Sequence, residues 1–143
     1  MARQNARRRT ATAPDAPCPC GLGTSYESCC GRYHSGQAKA PTAELLMRSR
    51  FSAFAVGDVP YLRQTWHPTT RPSRLQLDPE QRWVRLEILT ALDGGLFDSE
   101  GAVEFRAHFQ EGAHSGSLHE QSRFVREGGN WLYVGPLSPV VVE

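Results

Sequence analysis

No apolar run in the sequence approaches the ~18 residues that a membrane-spanning helix requires, so a membrane span is not expected. The N-terminal stretch MARQNARRRTATAPDAP carries charge but lacks the apolar segment of a secretory signal, which makes the cytoplasm the expected compartment. A basic stripe suited to nucleic acid is missing as well. The formal net charge is only +1, and four arginines near the start (Arg3, Arg7, Arg8, Arg9) against Asp15 leave the rest of the chain slightly acidic. There is no internal repeat, no phosphate-binding glycine loop and no Ser-His-Asp order. No cysteine follows Cys30, which argues against a disulfide framework, because staples of that kind are spread over a fold. Adjacent cysteines such as Cys29 and Cys30 also rarely reach disulfide geometry with each other.

At 143 residues, 39% hydrophobic and 22% charged, the chain suits one domain with a core of its own and a small appendage. Residues 1–16 are rich in Arg, Ala, Thr and Pro without apolar periodicity and read as a flexible basic tail, for which contact with RNA is the weaker reading. Residues 17–36 hold many turn formers and few aliphatic side chains, so they need a metal or a neighbour to order them. From Pro41 the pattern turns helical. Thr42 is the expected N-cap, Met47, Phe51 and Phe54 recur at helical spacing, and Gly57 ends the helix. Asp58 caps a second, shorter helix through Tyr61, Leu62 and Trp66 that stops before Pro68.

Beyond a loop over 68–81 the period drops to two. In WVRLEILTAL, Val84, Leu86 and Ile88 are expected on one face, with Trp83, Arg85 and Glu87 on the other. Val103, Phe105, Ala107 and Phe109 form the apolar face of a second strand, and LHEQSRFVRE and NWLYVG form a hairpin about Gly128-Gly129. That turn pairs Arg126 with Trp131 and Phe124 with Tyr133. A tight turn near Ala113 and His114 would then pair Phe109 with Leu118, Ala107 with Glu120, Phe105 with Ser122 and Val103 with Phe124. The expected fold is α+β, a curved antiparallel sheet covered by helices over about 41–139.

Cys18, Cys20, Cys29 and Cys30 supply four thiolates in the order C-x-C-x8-C-C, a complete tetrahedral set for one Zn²⁺. A closed shell of four sulfurs leaves no open position, so the metal is structural rather than hydrolytic. An iron–sulfur cluster is the other reading of such a set. Gly21 and Gly23 would relax the loop between the ligand pairs. Arg32, Lys39 and Arg48 would temper its charge, and His34 could replace one of the adjacent cysteines as a ligand. The later domain, with its own apolar core, should fold independently of this loop.

CPCGLGTSYESCCGRYHSG resembles the SEC-C motif, the zinc element also found at the C-terminus of the SecA preprotein translocase, with Leu22 where serine is common. LMRSRFSAFAVGDVPYLRQTWHP, VEFRAHF, HEQSRFVR and WLYVGP are similar to the YchJ-like bacterial family, and the likeness spans about residues 17–137. The resemblance implies an SEC-C loop followed by a domain similar to nuclear transport factor 2 (NTF2), a cone of curved sheet and helices. It also implies a protein partner, of which the translation or export machinery is one kind. Many relatives carry a second SEC-C motif at the C-terminus, whereas this chain ends LSPVVVE.

Glu120 and Ser122 fall among Phe105, Phe124, Trp131 and Tyr133 on the expected inner face, where desolvation would raise the Glu120 pKa. Glu120 is thus the one candidate for a general base. The structural alternative pairs it with Arg48, Arg50 or the Tyr133 hydroxyl. Trp66 and His67 are expected at the end of the second helix, either at a pocket mouth or, for His67, against the last helical carbonyls. His108 is expected in solvent, and Arg48 and Arg50 to snorkel along their helix. The leading reading is a non-catalytic accessory protein that contacts a protein partner. The alternative is a small-molecule-binding protein or enzyme that uses the Glu120 pocket.

Overall fold

In a computed structural model, which describes residues 13–143, the elements follow in the order α1 (Cys30–His34), α2 (Ala43–Val56), α3 (Val59–Gln64), β1 (Gln81–Asp93), β2 (Glu100–Glu111), β3 (His114–Glu127), β4 (Asn130–Pro136) and β5 (Val141–Val142). Strands β1 to β4 form an antiparallel meander in chain order, and β5 returns to pair with β3. This is the α+β arrangement of a curved sheet with few helices that the periodicity implied. Arg3, Arg7, Arg8 and Arg9 lie outside the described residues. Residues 13–16, read above as the end of the tail, are tied to the cysteine loop: Tyr26 N–H donates to the Ala16 carbonyl at 2.8 Å and Glu27 N–H to Pro14 at 2.9 Å. The sheet likewise runs past residue 139, since Ser117 and Glu143 exchange backbone hydrogen bonds of 2.9 and 2.8 Å.

The glycine turns set the register. Gly128 and Gly129 take φ +59° and +83°, the pair of positive values a type I′ turn demands, and Arg126 faces Trp131 and Phe124 faces Tyr133 as expected. The β2–β3 turn is Gly112-Ala113, with φ +61° at Gly112, one residue earlier than the sequence suggested. The pairing therefore shifts by two: Phe105 faces Glu120, Val103 faces Ser122, Ala107 faces Leu118 and Phe109 faces Gly116. A two-residue shift preserves the side-chain faces, so Val103, Phe105, Ala107 and Phe109 remain buried.

Strand β1 departs from the simple alternation. It carries irregularities between Trp83 and Arg85 and between Ile88 and Thr90, which turn Val84 out to 51% exposure and Trp83 inward. Trp83 meets Phe109 edge-on at 5.3 Å and Phe51 at 6.4 Å. One extra residue reverses the parity of a strand, and a period of two carries no mark of where it falls. On the outer face His108 is not free in solvent. Its Nε2 lies 2.7 Å from Glu87, and this hydrogen bond holds the Glu87 carboxyl below the usual carboxylate range.

Helix α2 starts where expected, with Thr42 Oγ1 accepting from Leu45 N–H at 3.1 Å, and ends at Gly57. It is not simply amphipathic, because Ser49, Arg50, Phe51, Ser52 and Ala53 are all buried in succession. Phe51 faces the sheet core while Ser49 and Ser52 face the other way, so the helix is covered on opposite sides. Helix α3 ends at Gln64, and Trp66 and His67 lie beyond it: Trp66 N–H still donates to the Arg63 carbonyl at 3.2 Å, whereas His67 N–H turns to β4 and donates to the Tyr133 carbonyl at 2.8 Å.

Phe124 is 0% exposed, so Phe124→Ala should cost about 3–5 kcal/mol in urea-induced unfolding. Val84→Ala should stay within about 0.5 kcal/mol, whereas a Val84 facing the core would show a cavity cost.

Candidate metal centre and interior cavity

The first site is built by a loop that closes on itself. Cys18 N–H donates to the Thr24 carbonyl at 2.9 Å and Gly21 N–H to Cys18 at 3.1 Å, which brings Cys18 and Cys20 round a turn at Gly21 and Gly23. The second pair is set by Tyr26, whose carbonyl accepts from Cys29 and Gly31 N–H at 3.0 and 2.8 Å. A side chain at Gly31 would stand 2.7 Å from that oxygen, so the residue after Cys30 has to be glycine for this approach.

The four Sγ atoms lie within 4.8 Å of one another, all are buried, and none is in a disulfide. Four sulfurs at ~2.3 Å from a tetrahedral metal stand about 3.8 Å apart, and Cys20 and Cys29 are 3.7 Å apart here. The donor set, its burial and its spacing thus fit a metal ion. Among the four thiols, hydrogen bonds from Cys20 and Cys30 hold that of Cys18 far below its usual range, while the bond to Cys18 pushes Cys20 up to about 12.

The surroundings are polar in a directed way. Arg48 donates to the Cys20 carbonyl at 2.9 Å and to Glu44 at 3.1 Å, and Arg32 donates to the Cys29 carbonyl at 3.3 Å. Lys39 is exposed. His34 is not in the sulfur set: its Nε2 donates to the Ser49 carbonyl at 2.9 Å and its Nδ1 lies 2.6 Å from the Tyr26 hydroxyl. These bonds, with Cys18 Sγ 3.5 Å from Ser52 Oγ, fasten the loop to α2. The loop thus lies against α2, where the Ser49 carbonyl and the Ser52 hydroxyl meet it, while the Ser49 hydroxyl pairs with Leu46 and Tyr61 of the later domain.

The second site is a cavity of about 230 Å³ between α2 and the sheet. Of the residues expected in a pocket, Trp66, Phe105, Glu120 and Tyr133 line it. Ser122 reaches it indirectly through a hydrogen bond to Glu120 Oε2, and Phe124 packs on Tyr133 with ring centres 5.7 Å apart. Trp131 points away, donating to the Pro41 carbonyl at 3.1 Å, and His67 lies outside between Thr69 and Glu127. Phe51, Phe54 and Trp83 line the cavity without having been expected there, and Arg50 lines it in the inward position that the structural alternative for Glu120 allowed, not the snorkelling one. An arginine within a helix reads as a surface residue, and only the packing of β4 against α2 encloses it.

Arg50 is 3% exposed and does not snorkel. Burial lowers its pKa to about 10, which leaves it cationic at neutral pH. Its guanidinium lies 4.8 Å from the Trp66 ring centre and 4.5 Å from that of Tyr133, and Nη1 donates to the Leu62 carbonyl and the Thr65 hydroxyl at 2.8 and 2.7 Å. The Tyr133 hydroxyl donates to Glu120 Oε2 at 2.7 Å, and burial raises the Tyr133 pKa.

A family model described as the YchJ middle NTF2-like domain matches residues 42–136. The UPF0225 protein of Streptomyces coelicolor is 58% identical over 84% of this chain and 94% of its own length. The chain belongs to the YchJ-like UPF0225 family. A family relative from Cupriavidus pinatubonensis, also a UPF0225 protein, is 47% identical over 89% of this chain and 92% of its own. The solution structure of a SEC-C motif containing protein from Rhodopseudomonas palustris superposes with a TM-score of 0.74 at 32% identity, covering 86% of this chain and 98% of that one. A crystal structure of a SEC-C motif containing protein from Psychrobacter arcticus gives 0.70 at 28% identity, covering 89% and 85%. Among the described residues no helix is long and apolar enough to cross a membrane.

Removing one of the two donors to Glu120 Oε2 should be felt throughout the fold. Tyr133→Phe is expected to lose about 1.5–3 kcal/mol in chemical denaturation, and an unchanged midpoint would mean that the hydroxyl is replaceable by water.

Proposed function

We propose that this member of the family is a structural-zinc accessory protein of the cytoplasm, made of a zinc loop over 17–36 and an NTF2-like domain over 41–139, that contacts a protein partner. The observation that carries the reading is the closed, buried set of four sulfurs. Zinc matches four soft thiolates in tetrahedral array, and with all four positions filled by protein it has no place for a substrate or an activated water. Its work is then to hold the loop rigid. Leu22, 47% exposed at the tip between Gly21 and Gly23, is the apolar group such a loop presents to a partner. The likeness to the SecA motif favours a partner in translation or export. The enzyme reading is weaker. Glu120 Oε2 already accepts two hydrogen bonds, from Ser122 and Tyr133, which hold that oxygen in a structural role.

Elemental analysis of the purified protein should find one zinc per chain, and Cys29→Ser should lose it. Because Ser49, Ser52 and Arg48 fasten the loop to α2, the same variant should lower the melting temperature of the whole chain. Absence of stoichiometric metal under reducing conditions would refute the zinc assignment. For the partner, Leu22→Asp should keep the zinc and abolish a protein interaction that wild type captures. Equal capture by both would remove the loop as the contact surface.

A further inference from the structure

The cavity holds two buried charges that do not neutralise each other directly. Arg50 is 3% and Glu120 8% exposed, and both line it. Arg50 uses Nη1 on Leu62 and Thr65, while Glu120 uses Oε2 on Tyr133 and Ser122. The guanidinium sits over the face of Tyr133 and the carboxylate at its hydroxyl, so one phenol holds the two charges apart.

That leaves Arg50 Nε and Nη2 and Glu120 Oε1 without a hydrogen bond among the described residues. The one side-chain polar atom that is both sealed from solvent and unpaired among those residues is Arg71 Nε. The open valences of Arg50 and Glu120 are therefore reachable from the cavity they line. Donors and acceptors left open in this way can pair with whatever occupies the cavity. The arrangement is also rigid. Tyr133 N–H donates to the Thr65 carbonyl and His67 N–H to Tyr133, both at 2.8 Å, which clamps Trp66 beside β4.

Three properties of the cavity restrict what fills it. A dry cavity of about 150 Å³ takes a benzene ring, so one of about 230 Å³ takes a ring with one small substituent. Phe51, Phe54, Trp83 and Phe105 offer aromatic walls. The polar end presents free N–H donors on one side and a free carboxylate oxygen on the other. An anionic ligand would suit Arg50 and be repelled by Glu120, and a cationic ligand the reverse. A primary carboxamide is neutral and has a carbonyl for the guanidinium and an N–H for the carboxylate.

We propose that this cavity is a binding site for a net-neutral, single-ring aromatic carboxamide, its ring among Phe51, Phe54, Trp83 and Phe105, its carbonyl on Arg50 and its amide N–H on Glu120. The proposal rests on the cavity and not on the metal loop.

Benzamide is the probe, with benzoate, benzylamine and toluene for comparison. Titration of the full-length, metal-replete chain is followed by the indole N–H signals of its three tryptophans. Trp66 and Trp83 line the cavity, whereas Trp131 is bonded to Pro41 and serves as the internal control. Benzamide should shift Trp66 and Trp83 but not Trp131, and bind at least about tenfold more tightly than each of the other three, because only it pairs with both polar groups. Glu120→Gln should shrink the preference for benzamide over benzoate by about tenfold. The wild-type comparison stands even if that variant fails to fold. Benzoate binding as tightly as benzamide would make the site an anion site, and toluene doing so would make it merely apolar. Either result overturns the proposal, as does absence of shifts at Trp66 and Trp83 up to about 10 mM benzamide.

Discussion

Helix α2 is enclosed on two sides, and most of the molecule is arranged to make that tolerable. Its Phe51 side packs on the sheet as any amphipathic helix would. Its Ser49 and Ser52 side would be an expensive polar surface in a small domain, were it not for three partners. The Tyr61 hydroxyl lies 2.7 Å from Ser49 Oγ, His34 donates to the Ser49 carbonyl, and Cys18 Sγ approaches Ser52. Two of these partners belong to the cysteine loop or the short helix that ends it. The loop, poor in aliphatic residues, gains a surface to lie on, and the helix gains a polar cover that it could not obtain from the sheet.

The same helix carries Arg50 to the opposite problem. A guanidinium in a nearly closed interior is tolerated because Trp66 and Tyr133 face it with their rings and the Leu62 carbonyl and Thr65 hydroxyl take two of its hydrogen bonds. Glu120 contributes attraction from a distance, while its own second oxygen stays open. A directly paired arginine and glutamate would make a self-sufficient core. Charges held apart on one tyrosine make instead a polar end to an aromatic cavity.

Much of the architecture was legible in local pattern. Thr42 and Asp58 are caps because a short side-chain oxygen answers an unpaired N–H, and Gly128-Gly129 marks a turn because it accepts two positive φ values. The four cysteines needed only their spacing, since two pairs carried by tight turns bring their own sulfurs together. The β1 faces were misread at Val84 and Trp83 because a bulge is settled by cross-strand pairing, to which alternation in one strand is blind. The cavity was half legible: Glu120 and Tyr133 share a face through the hairpin register, but Arg50 belongs to another element.

Local pattern was enough for the α+β class, the helix starts, the hairpin at Gly128-Gly129 and the cysteine set, all of which rest on residues close in the chain or joined by a short turn. It took the packing of distant elements to lay the cysteine loop on the polar side of α2, to turn His67 and Trp131 away from the cavity, and to bring Arg50 into it. Each of those outcomes depends on which surfaces remain uncovered once helix and sheet have packed, and no local propensity carries that information.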